Sequence, residues 1–191
     1  MIKVGILIKR FQNLEYWELD IINELINTPY LNLELLIKDG RPKKTFRKKN
    51  LFFSKVTFKI QKLIERNIFF KRKTHPNYEK ILNYLNKIES LNLKPEKKGY
   101  VDFFSNEDSN KVKEKKLDIL LRHEFGIIKG EILHSAKYGI WSFHHGDNSI
   151  NRGGPAGFWE IVLNEPYVGV TLQKLTTELD GGFIIDKAYF N

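Results

Sequence analysis

One short run of polar residues concentrates the side chains of this chain that could do chemistry. Residues 142–148 read Ser-Phe-His-His-Gly-Asp-Asn and follow an apolar stretch typical of a buried strand. Ser142 and His144 stand two positions apart, and side chains with that spacing lie on the same face of a strand. A hydroxyl and an imidazole on one face can polarise a substrate or move a proton. The end of this strand is therefore the first candidate site.

Two later segments add polar or backbone-exposing residues. Arg152-Gly153-Gly154-Pro155 predicts a tight turn before a helix, and Asp180 precedes a Gly-Gly pair just before the last predicted strand. A His at a strand end and an Asp in a neighbouring loop can form a general acid–base pair. Asp180 is equally typical of a simple turn, and His144 with His145 could be a structural pair. Residue types alone leave catalysis open.

Metal binding is a weaker interpretation of the same cluster. His144, His145 and Asp147 are common ligand types, but adjacent histidines on a strand point to opposite faces. The chain has no cysteine, which excludes a thiolate nucleophile, a disulfide framework and a Cys-based zinc site. We predict no metal site.

The segments around these residues alternate between strand and helix patterns. The predicted strands are residues 4–8, 33–37, 100–104, 117–121, 139–144, 167–175 and 183–189. The predicted helices are residues 78–88, 131–137 and 156–163, with an earlier one capped by Asn13. Residues 93–98 and 125–130 are expected to be loops, and residues 106–116 a polar, mobile segment. This order predicts a Rossmann-like α/β fold with a mostly parallel central sheet and flanking helices. Ligands of such sheets bind beyond the carboxyl ends of the strands.

The formal charge of +9 on 191 residues is concentrated in one segment. Residues 41–73 hold 13 Lys and Arg against a single acid, Glu65, a net charge of +12; since the whole chain carries +9, the remainder carries −3. We therefore predict one domain, residues 1–191, with a basic, polar and helical insertion over residues 41–116. A basic helix beginning near Ser54 could face a membrane surface, an acidic partner or RNA, or simply pack on its own domain.

Other classes of protein are excluded by composition. No apolar run approaches the roughly 20 residues that span a bilayer, and the chain does not open with a secretory signal pattern. These features, with the absence of cysteine, favour a cytoplasmic location. The turn after the first predicted strand contains no glycine, so a glycine-rich phosphate-binding fingerprint is absent there.

From residue 117 to the end, four motifs in order resemble the catalytic core of the folate-dependent formyltransferases. They are Ser142-Phe143-His144, Arg152-Gly153, Val168-Gly169-Val170-Thr171 and Leu179-Asp180-Gly181-Gly182. In that family the matching motifs are Asn-x-His, Arg-Gly, Thr-Gly-Val-Thr and Leu-Asp-x-Gly. Phe125-Gly126-Ile127-Ile128 is also similar to a Tyr-Gly-x-Ile loop that lines the family's folate pocket.

The resemblance implies transfer of a formyl group from 10-formyltetrahydrofolate to a primary amine. It implies that His144 hydrogen-bonds the developing oxyanion, that Asp180 orients His144 or a water, and that Ser142 stands at the position of the catalytic Asn. The expected folate contacts are Phe125, Gly126, Ile127, Ile128 and Asp180. The expected acceptor contacts are His145, Asp147, Arg152 and Gly153.

Departures from the family pattern leave the acceptor and the activity open. Ser142 replaces the catalytic Asn, and the sequence ends soon after Asp180, which predicts a divergent or truncated member. The basic segment favours an anionic acceptor: an amino-sugar nucleotide is preferred, with methionyl-tRNA as the alternative. A formyltetrahydrofolate hydrolase and a non-catalytic folate-binding module are further alternatives. The oligomeric state is left open.

Overall fold

The first forty residues form the strand, helix and strand that the sequence predicts. The computed structural model describes residues 1–9, 14–42, 60, 75–150, 157–178 and 181–191. Strand β1 (Ile2–Ile8) and strand β2 (Leu31–Asp39) pair in parallel, and helix α1 (Tyr16–Asn27) connects them. The predicted βαβ unit is confirmed, because an apolar strand feeding an amphipathic helix returns in parallel.

The beginning of α1 differs from the expectation. The N-cap is Glu15, whose backbone N–H donates to the Glu18 carboxylate at 2.8 Å while the Glu15 side chain accepts from the N–H of Glu18. The carboxylates of Glu15 and Glu18 thus form the two reciprocal hydrogen bonds of a capping box, in which Ser or Thr is the usual N-cap residue. Asn13, the predicted cap, lies outside the described residues.

Seven strands form the central sheet. Beyond β1 and β2, its members are β3 (Glu89–Leu93), β6 (Ile119–Arg122), β8 (Ile140–His145), β9 (Val168–Lys174) and β10 (Phe183–Phe190). The order is β10-β9-β8-β6-β1-β2-β3. Strands β3, β2, β1, β6 and β8 are parallel, whereas β9 and β10 form an antiparallel pair that closes one side. The Rossmann-like, mostly parallel architecture is confirmed.

Residues 75–116, which fall in the predicted insertion, contribute elements to this fold. They form helix α2 (Tyr78–Lys87), strand β3, strands β4 (Glu96–Lys98) and β5 (Val101–Phe103), and helix α3 (Asn106–Lys113). Strands β4 and β5 join β7 (Ile127–Lys129) in a second, three-stranded sheet. Of the rest of the insertion, only Arg41, Pro42 and Ile60 are described, and Ile60 is exposed.

Three expectations for loops and mobile chain are wrong. Residues 93–98 contain the end of β3 and all of β4, and residues 125–130 contain β7. Residues 106–116 contain α3, whose N-cap Ser105 accepts from the Asp108 N–H at 3.1 Å. Residues 93–98 and 106–116 are mostly polar, so hydrophobic periodicity carried little signal there, and the apolar run in residues 125–130 is too short to show a period. Buried Ser109 and Val112 still attach α3 to the fold.

The two faces of the central sheet bury separate apolar clusters. One cluster, against α1 and α2, includes Ile6, Ile22, Leu36, Ile81 and Leu85. The other, against the small sheet and a 3₁₀ helix (Glu131–His134), includes Leu7, Phe104, Phe125, Ile132 and Ile140. Alternate residues of β1 therefore serve opposite clusters, which holds the parallel strands in register and aligns their carboxyl ends at one edge.

Among the described residues, no helix has the length and apolar character required to cross a membrane.

Candidate functional site

The predicted strand-end residues open into one cavity. This cavity has a volume of about 220 Å³ and lies at the carboxyl ends of β6 and β8. The lining residues are Trp17, Arg122, His123, Ser142, Phe143, His144 and His145. A larger cavity of about 330 Å³ lies between α3 and the 3₁₀ helix, but no predicted site residue lines it. The crevice beyond adjacent parallel strands is where open α/β sheets bind ligands.

Ser142 is engaged on both sides of its hydroxyl. The residue is 2% exposed and lies beside Arg122 in the register of β6 and β8. Its Oγ accepts from Arg122 Nη1 at 3.0 Å and donates to its neighbour's carbonyl, Phe143 O, at 3.2 Å. A hydroxyl has a single hydrogen to donate, so Ser142 has none left to offer a ligand in this arrangement.

The two adjacent histidines have different environments. His144 is half-buried, lies opposite Thr171 of β9 and lines the cavity. His145 is exposed and meets the Trp17 ring edge-on, with ring centroids 6.4 Å apart. His144 is therefore the imidazole better shielded from solvent.

The Val168-Gly169-Val170-Thr171 motif holds the loop that follows β8. Gly146 N–H donates to Gly169 O at 2.8 Å, and Thr171 Oγ1 donates to Gly146 O at 3.0 Å. A Cβ atom on Gly169 would lie 2.9 Å from the backbone nitrogen of Asp147, closer than normal contact. Glycine is required here because the two chains approach too closely for a side chain. The motif positions the strand end that carries His144.

Asp147 is bound within the chain. Its carboxylate accepts from Lys187 Nζ, Ser149 Oγ and Tyr189 OH, each at 2.5 Å, and from Ser149 N–H at 2.8 Å. The hydrogen bond from Lys187, followed by those from Ser149 and Tyr189, holds the pKa of Asp147 well below its usual range. These bonds join the β8 loop to β10. A substrate that uses Asp147, as predicted from sequence, must compete with four donors.

The predicted folate segment contributes backbone to the site. The Phe125 and Ile128 side chains are buried in the core, and Ile127 pairs with Val101 of β5. Phe125 O accepts from Arg122 Nε at 2.9 Å. A Cβ on Gly126 would lie 2.5 Å from Tyr100 O, so no side chain fits there. The segment lies beside the cavity and holds the Arg122 guanidinium from a second direction.

A buried ion-pair network anchors the same segment. Asp102, whose side chain is fully buried, accepts from Arg41 Nη1 at 2.5 Å and from Gly126 N–H at 2.7 Å. Arg41 also forms a bidentate pair with Asp39, at 2.8 and 2.6 Å. Burial alone raises the pKa of Asp102, but Arg41, the Gly126 N–H and the charge on Lys9 outweigh it and lower the pKa.

Sequence reasoning missed several residues of this cavity. Trp17 stacks on His123, with ring centroids 5.8 Å apart and 11° between the planes. The fully buried His123 ring places Nδ1 3.4 Å from Glu18 Oε1. Arg122 and His123 directly follow the apolar segment 117–121 that the sequence predicts as a strand, so the rule that ligands bind beyond strand ends could have identified them. Nothing in the pattern of α1 identified Trp17.

Three predicted site residues lie outside the described residues: Arg152, Gly153 and Asp180. The chain beside Asp180 is described, and there Thr176 Oγ1 donates to Gly181 O at 3.1 Å. The roles expected for the three residues stay predictions. Within the part of the chain that the structure describes, no three His, Asp or Glu side chains are grouped so that they could hold a metal.

The fold and the strand-end site define the class of this protein. It is a Rossmann-like α/β protein whose mostly parallel sheet carries a polar cavity at its carboxyl edge. That fold is the fold of the folate-dependent formyltransferases, as comparison with solved structures finds. The resemblance noted in the sequence is thus confirmed at the level of the fold.

Three solved structures illustrate the similarity. Glycinamide ribonucleotide transformylase 1 from Symbiobacterium toebii matches with a TM-score of 0.60 and 14% identity, over 100% of this chain and 73% of that one. Phosphoribosylglycinamide formyltransferase from Bacillus halodurans matches with a TM-score of 0.56 and 17% identity, over 98% and 79%. A formyltetrahydrofolate deformylase from Pseudomonas syringae pv. tomato matches with a TM-score of 0.60 and 12% identity, over 99% and 51%.

Comparison at the level of sequence adds no assignment. No protein-family model matches the chain, and no curated protein matches it.

Proposed function

We propose that this protein transfers a formyl group from 10-formyltetrahydrofolate to a primary amine. The observation that carries the proposal is the placement of Ser142 and His144 in one cavity at the carboxyl end of β8. This position matches the Asn-x-His motif of a family whose fold the chain shares. Fold alone does not define function, so the proposal depends on the residues at the strand end.

The reaction needs one group to stabilise an oxyanion and another to manage a proton. The amine nitrogen attacks the formyl carbon, and the carbonyl electron pair moves to oxygen. His144 donates a hydrogen bond to that oxygen, and such a donor in a dry site contributes several kcal/mol, about 3. Asp180 orients His144 or a water and helps to remove the amine proton. Collapse of the intermediate breaks the bond to the folate nitrogen, which gains a proton.

The backbone of residues 125–128 supplies one wall of the folate site. Gly126 is suited to this position because any side chain would collide with Tyr100 O. The buried Asp102 holds the Gly126 N–H, so the wall is rigid before the folate arrives. Groups held in place beforehand do not have to be ordered on binding.

The acceptor is an anionic amine. The net charge of +12 over residues 41–73 would attract phosphate groups. We keep an amino-sugar nucleotide as the preferred acceptor and methionyl-tRNA as the alternative. The names of two similar structures add phosphoribosylglycinamide to the amines to be assayed. Weaker acceptor binding at higher salt is expected if the basic segment contacts the acceptor.

His144→Ala and Asp180→Ala test the proposal. Each change should abolish formyl transfer, with rates at least about 100-fold below wild type, because each removes a group needed in the transition state. The measurement is formation of tetrahydrofolate and formylated amine. His134→Ala and Asp186→Ala are matched controls, since both residues are exposed and line no part of the cavity. Wild-type rates from either site variant would refute the assignment.

A hydrolase is the second candidate, since the fold also matches a formyltetrahydrofolate deformylase. Water would replace the amine, and the products would be formate and tetrahydrofolate. Formate release that does not depend on any added amine would select this candidate. Folate binding by calorimetry without turnover of either kind would instead indicate a binding module.

A further inference from the structure

Arg122 is a cation within the cavity whose guanidinium is held by neutral groups. Its Nε donates to Phe125 O at 2.9 Å and its Nη1 donates to Ser142 Oγ at 3.0 Å. Among the described residues, no carboxylate lies within ion-pair distance of this guanidinium. A guanidinium has five N–H donors, so its bonds to Phe125 and Ser142 leave donors available to a ligand.

The energetics of such a group point to an anion. Burial lowers the pKa of Arg122, but an arginine stays protonated in proteins. Buried charges are normally paired, because leaving water is costly. An anion that binds beside Arg122 gains more than it would from a solvated cation. A negative charge that forms in this cavity during a reaction would gain the same stabilisation.

The state of Ser142 shows which donor is available. In the formyltransferases that the sequence resembles, an Asn stands at this position, and its amide can donate to the formyl oxygen. Ser142 gives its hydrogen to Phe143 O and uses a lone pair for Arg122. The serine therefore cannot replace the amide as a donor, whereas the guanidinium that it holds can.

We propose that Arg122 is a catalytic residue that stabilises the oxyanion of formyl transfer, and that Ser142 is a positioning residue that holds its guanidinium. This inference rests on the proposed function. The amine attacks the formyl carbon, the carbonyl electron pair moves to oxygen beside Arg122 and His144, and collapse restores the carbonyl. The folate nitrogen departs with one proton, and the amine loses one. Arg122 keeps its protons throughout.

Arg122→Ala and Arg122→Lys test the role directly. Loss of one oxyanion donor lowers kcat by about 100- to 1,000-fold, and we expect this range for the alanine variant, with KM for the formyl donor changed less than about 3-fold. Lysine keeps the charge but lacks the planar fork, so it should recover only part of kcat. It also serves as the test if the alanine variant does not fold.

Chemical rescue separates catalysis from structure. Free guanidinium ion, added far below the concentrations that unfold proteins, should raise kcat of Arg122→Ala at least about 10-fold because it refills the vacated site. Guanidinium should not raise the kcat of a variant that loses an exposed cation outside the cavity, such as Lys98→Ala. This variant controls for loss of charge alone.

A double substitution tests whether Ser142 acts by positioning the Arg122 guanidinium. Ser142→Asn in the Arg122→Ala background should recover activity, since an amide can then donate to the oxyanion. Ser142→Asn alone should lower kcat, because the larger side chain displaces the guanidinium. Additive losses in the double variant would contradict the shared role.

The outcomes distinguish this inference from the proposed function. If wild-type protein transfers or releases formyl groups and Arg122→Ala keeps its kcat, the inference is wrong and the function stands. A raised KM for the acceptor at unchanged kcat would make Arg122 an acceptor-binding residue and overturn the inference. If the wild type neither transfers nor releases formyl groups, the function and the inference both fail.

Discussion

Arg41, just after β2, and Arg122, the last residue of β6, both lie at the carboxyl edge of the central sheet, but their binding partners differ. Arg41 forms ion pairs with two carboxylates, Asp39 and Asp102, at 2.6 and 2.5 Å. Arg122 donates to a carbonyl and a hydroxyl and borders a cavity. The pKa of Arg41 is raised, first by its hydrogen bond to Asp39, whereas burial lowers the pKa of Arg122.

The difference distinguishes an arginine that stabilises the fold from one whose charge is available to a ligand. A fully paired arginine joins β2, β5 and the loop before β7, through Asp39, Asp102 and Gly126. Among the described residues Arg122 hydrogen-bonds to neutral groups and interacts with the Asp102 charge only at longer range, so most of its potential acts on whatever enters the cavity. Both are partly buried, so exposure does not distinguish them; the partners do.

The largest expected effect is on the stability of the fold, and it differs between the two arginines. Arg41→Ala leaves the buried Asp102 without its strongest partner and should lower the free energy of unfolding by about 3 kcal/mol. Arg122→Ala removes a cation that forms no ion pair with a described residue and should change that free energy by less than about 1 kcal/mol. Urea denaturation measures both. Equal losses of stability would show that Arg122 is a structural residue like Arg41.

The Asp147 cluster gives an intermediate, pH-dependent effect. Asp147→Asn removes a carboxylate with four donors and should lower Tm by roughly 2–10 °C at pH 7. Since the folded pKa of Asp147 lies below its ordinary value of 3.8, its contribution is present above that value and lost as pH falls towards the folded pKa. The gap in Tm between wild type and variant should therefore narrow below about pH 4. A gap that is constant down to pH 3 would contradict the ion-pair account.

The smallest effect is expected on the surface of α3. Lys111 pairs with Glu107 at 2.7 Å in an i,i+4 arrangement, with both side chains largely in solvent. Exposed pairs of this kind contribute little, so Lys111→Ala should leave Tm and kcat unchanged within error. A marked loss would show that charges far from the sheet edge matter, and would weaken the contrast between paired and unpaired arginines.

Most strands could be predicted because they are buried and apolar. Residues 4–8, 33–37, 117–121 and 139–144 are mostly apolar, as parallel strands covered on both faces are. The edge strands β3 and β4 and helix α3 could not be predicted in the same way. Their side chains are largely polar, and tertiary contacts such as those of Val112 and Leu93 decide their structure.

The sequence by itself determined the α/β alternation, the strand end that carries Ser142 and His144, and the order of motifs that resembles the formyltransferases. These follow from local patterns of apolar and polar residues, which are readable along one chain. Only the tertiary structure decided that Arg122, from the neighbouring strand, donates a hydrogen bond to the Ser142 hydroxyl, and that side chains of β10 bind Asp147. Those contacts join residues 20, 40 and 42 positions apart. Pairing across strands depends on sheet order and register, which no local pattern specifies.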